Sequence, residues 1–123
     1  MALLADASLS ALERRVVDRL LTLLNEELGA DLVGVWLYGS RARGEETGPS
    51  SDIDLLVITR GGRDRDFKRV GELAMDAADA EGLDPFRLSA RVADPGWVEG
   101  RREIDSFFIR EVDRDKVVLA GSA

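Results

Sequence analysis

The chain contains no cysteine and no histidine. The first absence excludes disulfides, thiolate nucleophiles and cysteine-bound zinc, and fits a reducing cytoplasm. The second excludes more. Without imidazole there is no Ser-His triad, no histidine acting as general acid or base, and no histidine ligand for zinc or iron. Lysine is scarce as well: of 17 basic residues only Lys68 and Lys116 are lysine. No stretch approaches the roughly 18 consecutive apolar residues of a membrane span. Met1-Ala2-Leu3-Leu4 runs into Asp6 without the basic segment of a signal peptide. A cytoplasmic protein without membrane association is expected, and any catalysis is left to carboxylates, arginines, hydroxyls and a hard metal ion.

Apolar residues make up 45% of the 123 and charged residues 33%, a balance that supports one domain spanning residues 1–123. A chain of this size buries roughly two-thirds of its unfolded surface, enough for a core without disulfides or structural metal. The net charge of −7 sets the surface against polyanions, so direct nucleic-acid binding is not expected.

Periodicity gives the element order. Ser10 followed by Glu13 reads as a capping box, and Leu12, Val16, Leu20, Leu24 and Leu28 recur at helical spacing before Gly29. A helix over about 9–28 is expected. Leu32 to Tyr38 reads as a buried strand, Gly39-Ser40 as a tight turn into a short helical piece at about 41–43, and 44–51 as a loop turning at Gly48-Pro49. A second strand covers 53–59. Gly61-Gly62 breaks it, most simply as a turn into a helix over about 63–81 that ends at Gly82. Phe86, Leu88, Ala90 and Val92 alternate with Arg87, Ser89 and Arg91, a half-buried strand over 86–92. One helix from about Trp97 to Val112 and a strand from Lys116 to Leu119 complete the chain. Trp97, Phe107 and Phe108 read as packing residues of the core or of a dimer rather than as a cover for a base. The fold class is α/β (α+β): a small mixed β-sheet of about four strands with helices packed on it.

The chemistry concentrates between Gly34 and Val57. Asp52 and Asp54, at i and i+2 entering a strand, point to the same side about 6–7 Å apart. Two such carboxylates suit a hard cation: Mg²⁺ binds through one or two carboxylates plus substrate phosphates. The eleven residues 41–51 separate this pair from Gly39-Ser40. There a glycine admits an anion close to the backbone, a serine hydroxyl donates, and Arg41 and Arg43 add the charge a triphosphate needs. Competing motifs fail. No lysine precedes Lys68, which excludes a Walker A loop, and Tyr38 stands where a serine nucleophile elbow needs glycine. The acidic pair opens an apolar strand, whereas an aspartyl-phosphate site would end one.

Gly39-Ser40-Arg41-Ala42-Arg43-Gly44-Glu45 together with Ser51-Asp52-Ile53-Asp54-Leu55 resembles the signature of the polymerase-β-like nucleotidyltransferases, and within them the minimal nucleotidyltransferases of prokaryotes. The resemblance implies that Gly39 and Ser40, with Ser51, hold nucleotide phosphates and that Asp52 and Asp54 bind Mg²⁺ (or Mn²⁺). A nucleoside monophosphate, usually AMP from ATP, would then pass to a hydroxyl acceptor. It also implies a partner: small members often act beside a helical HEPN-type protein as toxin–antitoxin pairs, with the partner as acceptor. A homo-oligomer is compatible with the same reading. In one place the chain departs from the pattern. The family's third carboxylate belongs on the neighbouring strand, where Ser89 is nearest and Arg87 and Arg91 flank it. That departure supports an alternative, a nucleotide-binding subunit that keeps the fold and has weak or no turnover.

Overall fold

The structure, a computed structural model, describes residues 7–45 and 52–123. Met1–Asp6, the Gly48-Pro49 turn and Ser51 lie outside the described residues.

Helix α1 (Ala11–Leu28) starts where the capping box expects it. The Ser10 hydroxyl accepts from the Glu13 N–H at 3.1 Å, and the Ser10 N–H donates to Glu13 Oε1 at 2.8 Å. A single 3₁₀ turn (Gly29–Asp31) leads into β1 (Leu32–Tyr38), which passes directly into the short helix α2 (Gly39–Ala42). Strand β2 (Ile53–Thr59) is followed by α3 (Gly62–Glu81) and β3 (Leu88–Ala93). Helices α4 (Pro95–Glu103) and α5 (Phe107–Asp115) precede β4 (Val117–Gly121).

The strands form one mixed sheet in the order β3-β2-β1-β4. Strand β1 is antiparallel to β2 and to β4, and β2 is parallel to β3. This is the expected α+β architecture. Alternation along the strands sends Val35, Leu37, Leu55 and Val57 to one face, packed against α1 and α3 through Leu20, Leu24, Val70 and Ala77. The opposite face carries Trp36, Leu56 and Ile58 under α4 and α5, through Val98, Ile109 and Val112. Asp54 belongs to this second face by the same period of two. No described helix is long and apolar enough to cross a membrane.

Two expectations need correction. The third strand begins at Leu88, not Phe86, because Asp84 accepts from the Phe86 N–H at 3.1 Å and starts a 3₁₀ turn over Pro85–Arg87. Phe86 consequently leaves the sheet and is 91% exposed. The expected single helix over 97–112 is two helices. Asp105 takes φ 50°, a left-handed conformation open to aspartate, and the Ser106 hydroxyl then accepts from the Ile109 N–H at 3.3 Å to start α5.

Candidate active site

Glu13 ties together the elements that position the site. Its Oε1 accepts from Arg41 Nη1 at 2.7 Å and its Oε2 from Arg87 Nη2 at 2.8 Å. The start of α1 is thus joined to α2 and to the turn entering β3. Backbone bonds reinforce the first joint: Ser8 N–H donates to the Arg41 carbonyl at 2.9 Å, and Arg41 Nη1 donates to the Ser8 carbonyl at 2.9 Å. Burial pulls the Glu13 carboxyl upward, but the hydrogen bonds from Arg41 and the Ser10 N–H, with the charges of Arg41 and Arg87, outweigh it and hold the group below its ordinary value.

The two arginines that follow the Gly39-Ser40 corner are placed differently. Arg41, read as a phosphate-neutralising residue, is only 5% exposed, and its guanidinium is committed to Glu13 and Ser8. It holds the turn in place from behind. Arg43 remains at the surface, bonded to Glu45 at 2.7 Å and reaching Asp115 at 3.5 Å. Its charge is shared with two carboxylates.

The two halves of the motif do meet. Tyr38 and Asp54 are register partners across β1 and β2, so the chain leaving β1 passes beside the first carboxylate of β2. Gly39 has φ 76°, and a β-carbon there would stand 2.8 Å from Asp54 Oδ2. Only glycine permits both the conformation and the approach. Ser40, half-buried, follows at once.

The acidic pair is electrostatically loaded. The Asp54 carboxyl is pushed above its ordinary value by burial and by the charge of Asp52, with Arg91 pulling the other way. Tyr38 is raised as well, by burial first and then by Asp54, again opposed by Arg91. On the other side of β2 the parallel register sets Ser89 opposite Asp54 and Arg91 opposite Leu56. Ser89 therefore holds the position that the sequence assigned to the missing acid. Among the described residues no group of three carboxylates forms.

The donor set fits a divalent cation. Two carboxylates repel one another at the mouth of a half-buried site, with oxygen as the only donor type, and a hard cation would relieve that repulsion. With two protein ligands, its remaining coordination would fall to phosphates and water.

Reading the sequence alone missed two participants. Glu13 looked like a helix cap, and only the tertiary contact reveals its second task. Arg91 looked like one residue of a polar strand face, and the β2–β3 register is what sets it near Asp54.

Comparison with known proteins follows the same line. Residues 17–119 match the model of the nucleotidyltransferase domain family. No curated protein matches the chain. A toxin-antitoxin crystallised with AMP-PNP shares the fold at 20% identity and TM-score 0.54, over 84% of this chain and 72% of that one. A point mutant of the toxin-antitoxin MntA-HpeT does so at 21% identity and TM-score 0.52, over 86% and 72%. At these identities the likeness is one of fold.

Proposed function

The chain belongs to the nucleotidyltransferase domain family, and from that membership and the geometry of the acidic pair we propose that it transfers a nucleoside monophosphate, AMP from ATP, to a hydroxyl acceptor. The observation that carries the reading is the close approach of Gly39 to the Asp54 carboxylate, which leaves no room for a β-carbon between them. It brings a corner able to admit phosphate beside the pair able to hold a cation.

In this reading the backbone at Gly39 and the Ser40 hydroxyl hold the β- and γ-phosphates, joined by Ser51. Arg43 adds charge once a phosphate competes for it with Glu45 and Asp115. Asp52 and Asp54 would hold Mg²⁺ or Mn²⁺, whose charge would polarise the α-phosphate and offset that of the departing pyrophosphate. The half-buried setting of Asp54 keeps water off one side of the reacting centre and strengthens interactions there. The acceptor oxygen attacks in line, opposite the departing group. A helical HEPN-type protein is the proposed partner, a reading supported by fold neighbours that are toxin–antitoxin assemblies.

The test is incubation with ATP labelled at the α-phosphate, Mg²⁺ and the product of the neighbouring gene. Label should pass to an acceptor with release of pyrophosphate, and Asp52→Asn and Asp54→Asn should abolish it. Equal labelling by those variants would remove the acidic pair from the chemistry. One observation favours a second reading, a nucleotide-binding subunit without turnover: Ser89 stands opposite Asp54 where a third carboxylate would complete the site. In that case ATP would raise the melting temperature, Asp52→Asn would cancel the rise, and no pyrophosphate would appear.

A further inference from the structure

A cavity of about 380 Å³ opens on the β3 flank of the acidic pair. Its lining includes Leu56 and Arg91 from the sheet, Arg63 and Phe67 from the first turns of α3, and Asp94 and Trp97 at the start of α4. Leu56 and Arg91 are register partners, and Asp54 and Ser89 are the preceding pair on the same face. The cavity therefore begins roughly 7 Å from Asp54, one same-face step along the strand.

Its arginines differ from most others in the chain. Most described arginines pair with carboxylates, as Arg19 does with Glu81 and Arg102 with Asp113, and Arg60 donates to the Ala30 carbonyl. Among the described residues, Arg63, Arg91 and Arg101 make no such pair. Each lies over an aromatic ring instead: Arg63 over Phe67 at 5.2 Å, Arg91 over Phe108 at 5.0 Å and Arg101 over Trp97 at 5.1 Å. Phe108 in turn meets Tyr38 edge-on at 5.5 Å and Trp97 at 6.0 Å. One aromatic wall thus runs from the cross-strand partner of Asp54 to the cavity. The Asp94 carboxylate, the acid in the lining, is engaged by the Trp97 N–H at 2.7 Å.

We propose that this cavity is the acceptor subsite and that it takes a nucleoside monophosphate, with the base against Trp97 and Phe67 and the phosphate against Arg63 and Arg91. Aromatic faces accept any base by stacking, and arginines that make no salt bridge can turn to a phosphate. The volume lies in the range of small-ligand sites, about 300–1,000 Å³. Two guanidinium groups answer one phosphate, and the net charge of −7 opposes a longer polyanion.

The acceptor role rests on the transfer reading above. With pyrophosphate departing on the β1 side, at Gly39 and Ser40, in-line attack must come from the β3 side, where the cavity lies. A ribose hydroxyl oxygen of the bound nucleotide bonds to the α-phosphorus of ATP. The bond from that phosphorus to the bridging oxygen breaks, pyrophosphate leaves with the electron pair, and the hydroxyl proton passes to water.

The experiment is a titration of tryptophan emission in the full chain with AMP, GMP, CMP and UMP, without metal. Trp97→Phe leaves Trp36 as the background signal. All four nucleotides should quench saturably. Adenosine and ribose 5-phosphate should bind at least tenfold more weakly, as should the mononucleotides to Arg91→Gln and Arg63→Gln. Asp52→Asn should leave the quenching unchanged.

Quenching that survives both arginine substitutions, or that persists in Trp97→Phe, overturns the site. Quenching seen only with Mg-ATP and lost in Asp52→Asn makes the cavity part of the donor site and overturns it too. A short oligoribonucleotide or a tyrosine-containing peptide binding there tenfold more tightly than AMP overturns the ligand class. Binding of AMP without transfer of label to it, while another acceptor is labelled, overturns the acceptor role. If no acceptor is labelled at all, the transfer reading is what fails and the binding site stands.

Discussion

Gly39 lies against Asp54 so closely that a β-carbon at its position would stand 2.8 Å from the carboxylate oxygen Oδ2. Its φ of 76° is one that side-chain-bearing residues rarely adopt. Two independent reasons thus hold one position to glycine. Gly39→Ala is expected to cost about 1–2 kcal/mol in backbone strain. The new methyl also displaces the Asp54 carboxylate, so a loss of Mg-ATP affinity beyond tenfold is expected. Calorimetric titration of the variant at a temperature where it is folded checks this, and wild-type affinity would refute it.

The acidic pair is expected to weaken the fold that carries it. Burial and Asp52 raise the Asp54 pKa above its ordinary value of 3.8, so the folded state binds the proton more tightly than the unfolded chain does. Stability from this group is greatest at low pH and is lost as pH rises through the raised pKa. Asp54→Asn should therefore melt higher than the wild type at neutral pH without metal. The gap should close as pH falls through the Asp54 pKa. Melting curves of both proteins across pH, in chelator, test the sign.

Glu13 is expected to behave in the opposite way. Its carboxyl is held below the ordinary value of 4.5, so its stabilisation is full above that pH and is lost as pH falls through the lowered pKa. Glu13→Gln removes the carboxylate that the buried Arg41 guanidinium and Arg87 share, a defect of about 3–5 kcal/mol. For a chain of this size that corresponds to a melting temperature lower by on the order of 10 °C at neutral pH. The deficit should shrink in acid. A change of only one or two degrees at pH 7 would show that the pair is not what anchors α2.

The register sets Ser89 opposite Asp54, at the position where the resemblance implies a third carboxylate. Ser89→Asp should add a carboxylate beside the pair and tighten Mn²⁺ binding by tenfold or more, about 1.4 kcal/mol or above. Competition between Mn²⁺ and Mg²⁺, followed by electron paramagnetic resonance, reads this directly. Unchanged affinity would mean that Arg91 or the local backbone denies the new side chain its place.

Much of the fold was legible because it follows from local rules. The Ser10–Glu13 capping box, the leucine stripe of α1, the apolar runs of β1 and β2 and the Gly82 stop each act within a few residues, and each stands where the pattern places it. The misreadings arise where local signals compete. Phe86, Leu88, Ala90 and Val92 alternate like a strand, yet Asp84 hydrogen-bonds the next backbone amide but one and withdraws Phe86 from the ladder. Ile104, Phe107 and Phe108 fit one helical stripe, yet Ser106 offers a cap that starts a new helix inside it.

What the sequence determined by itself is the chemistry available: no imidazole, no thiol, two aspartates two residues apart entering a strand, and a glycine-serine turn after another. Residue type and period-two spacing are enough for that, because they depend on neighbours along the chain. What tertiary structure decided is which charges are free to act. Arg41 and Arg91 look alike in sequence. Packing buries the first against Glu13, where its counter-charge offsets the loss of water, while the β2–β3 register leaves the second over Phe108, near Asp54 and at the mouth of a cavity. Desolvation and pairing depend on what folds across from a residue, and no spacing along the chain encodes that.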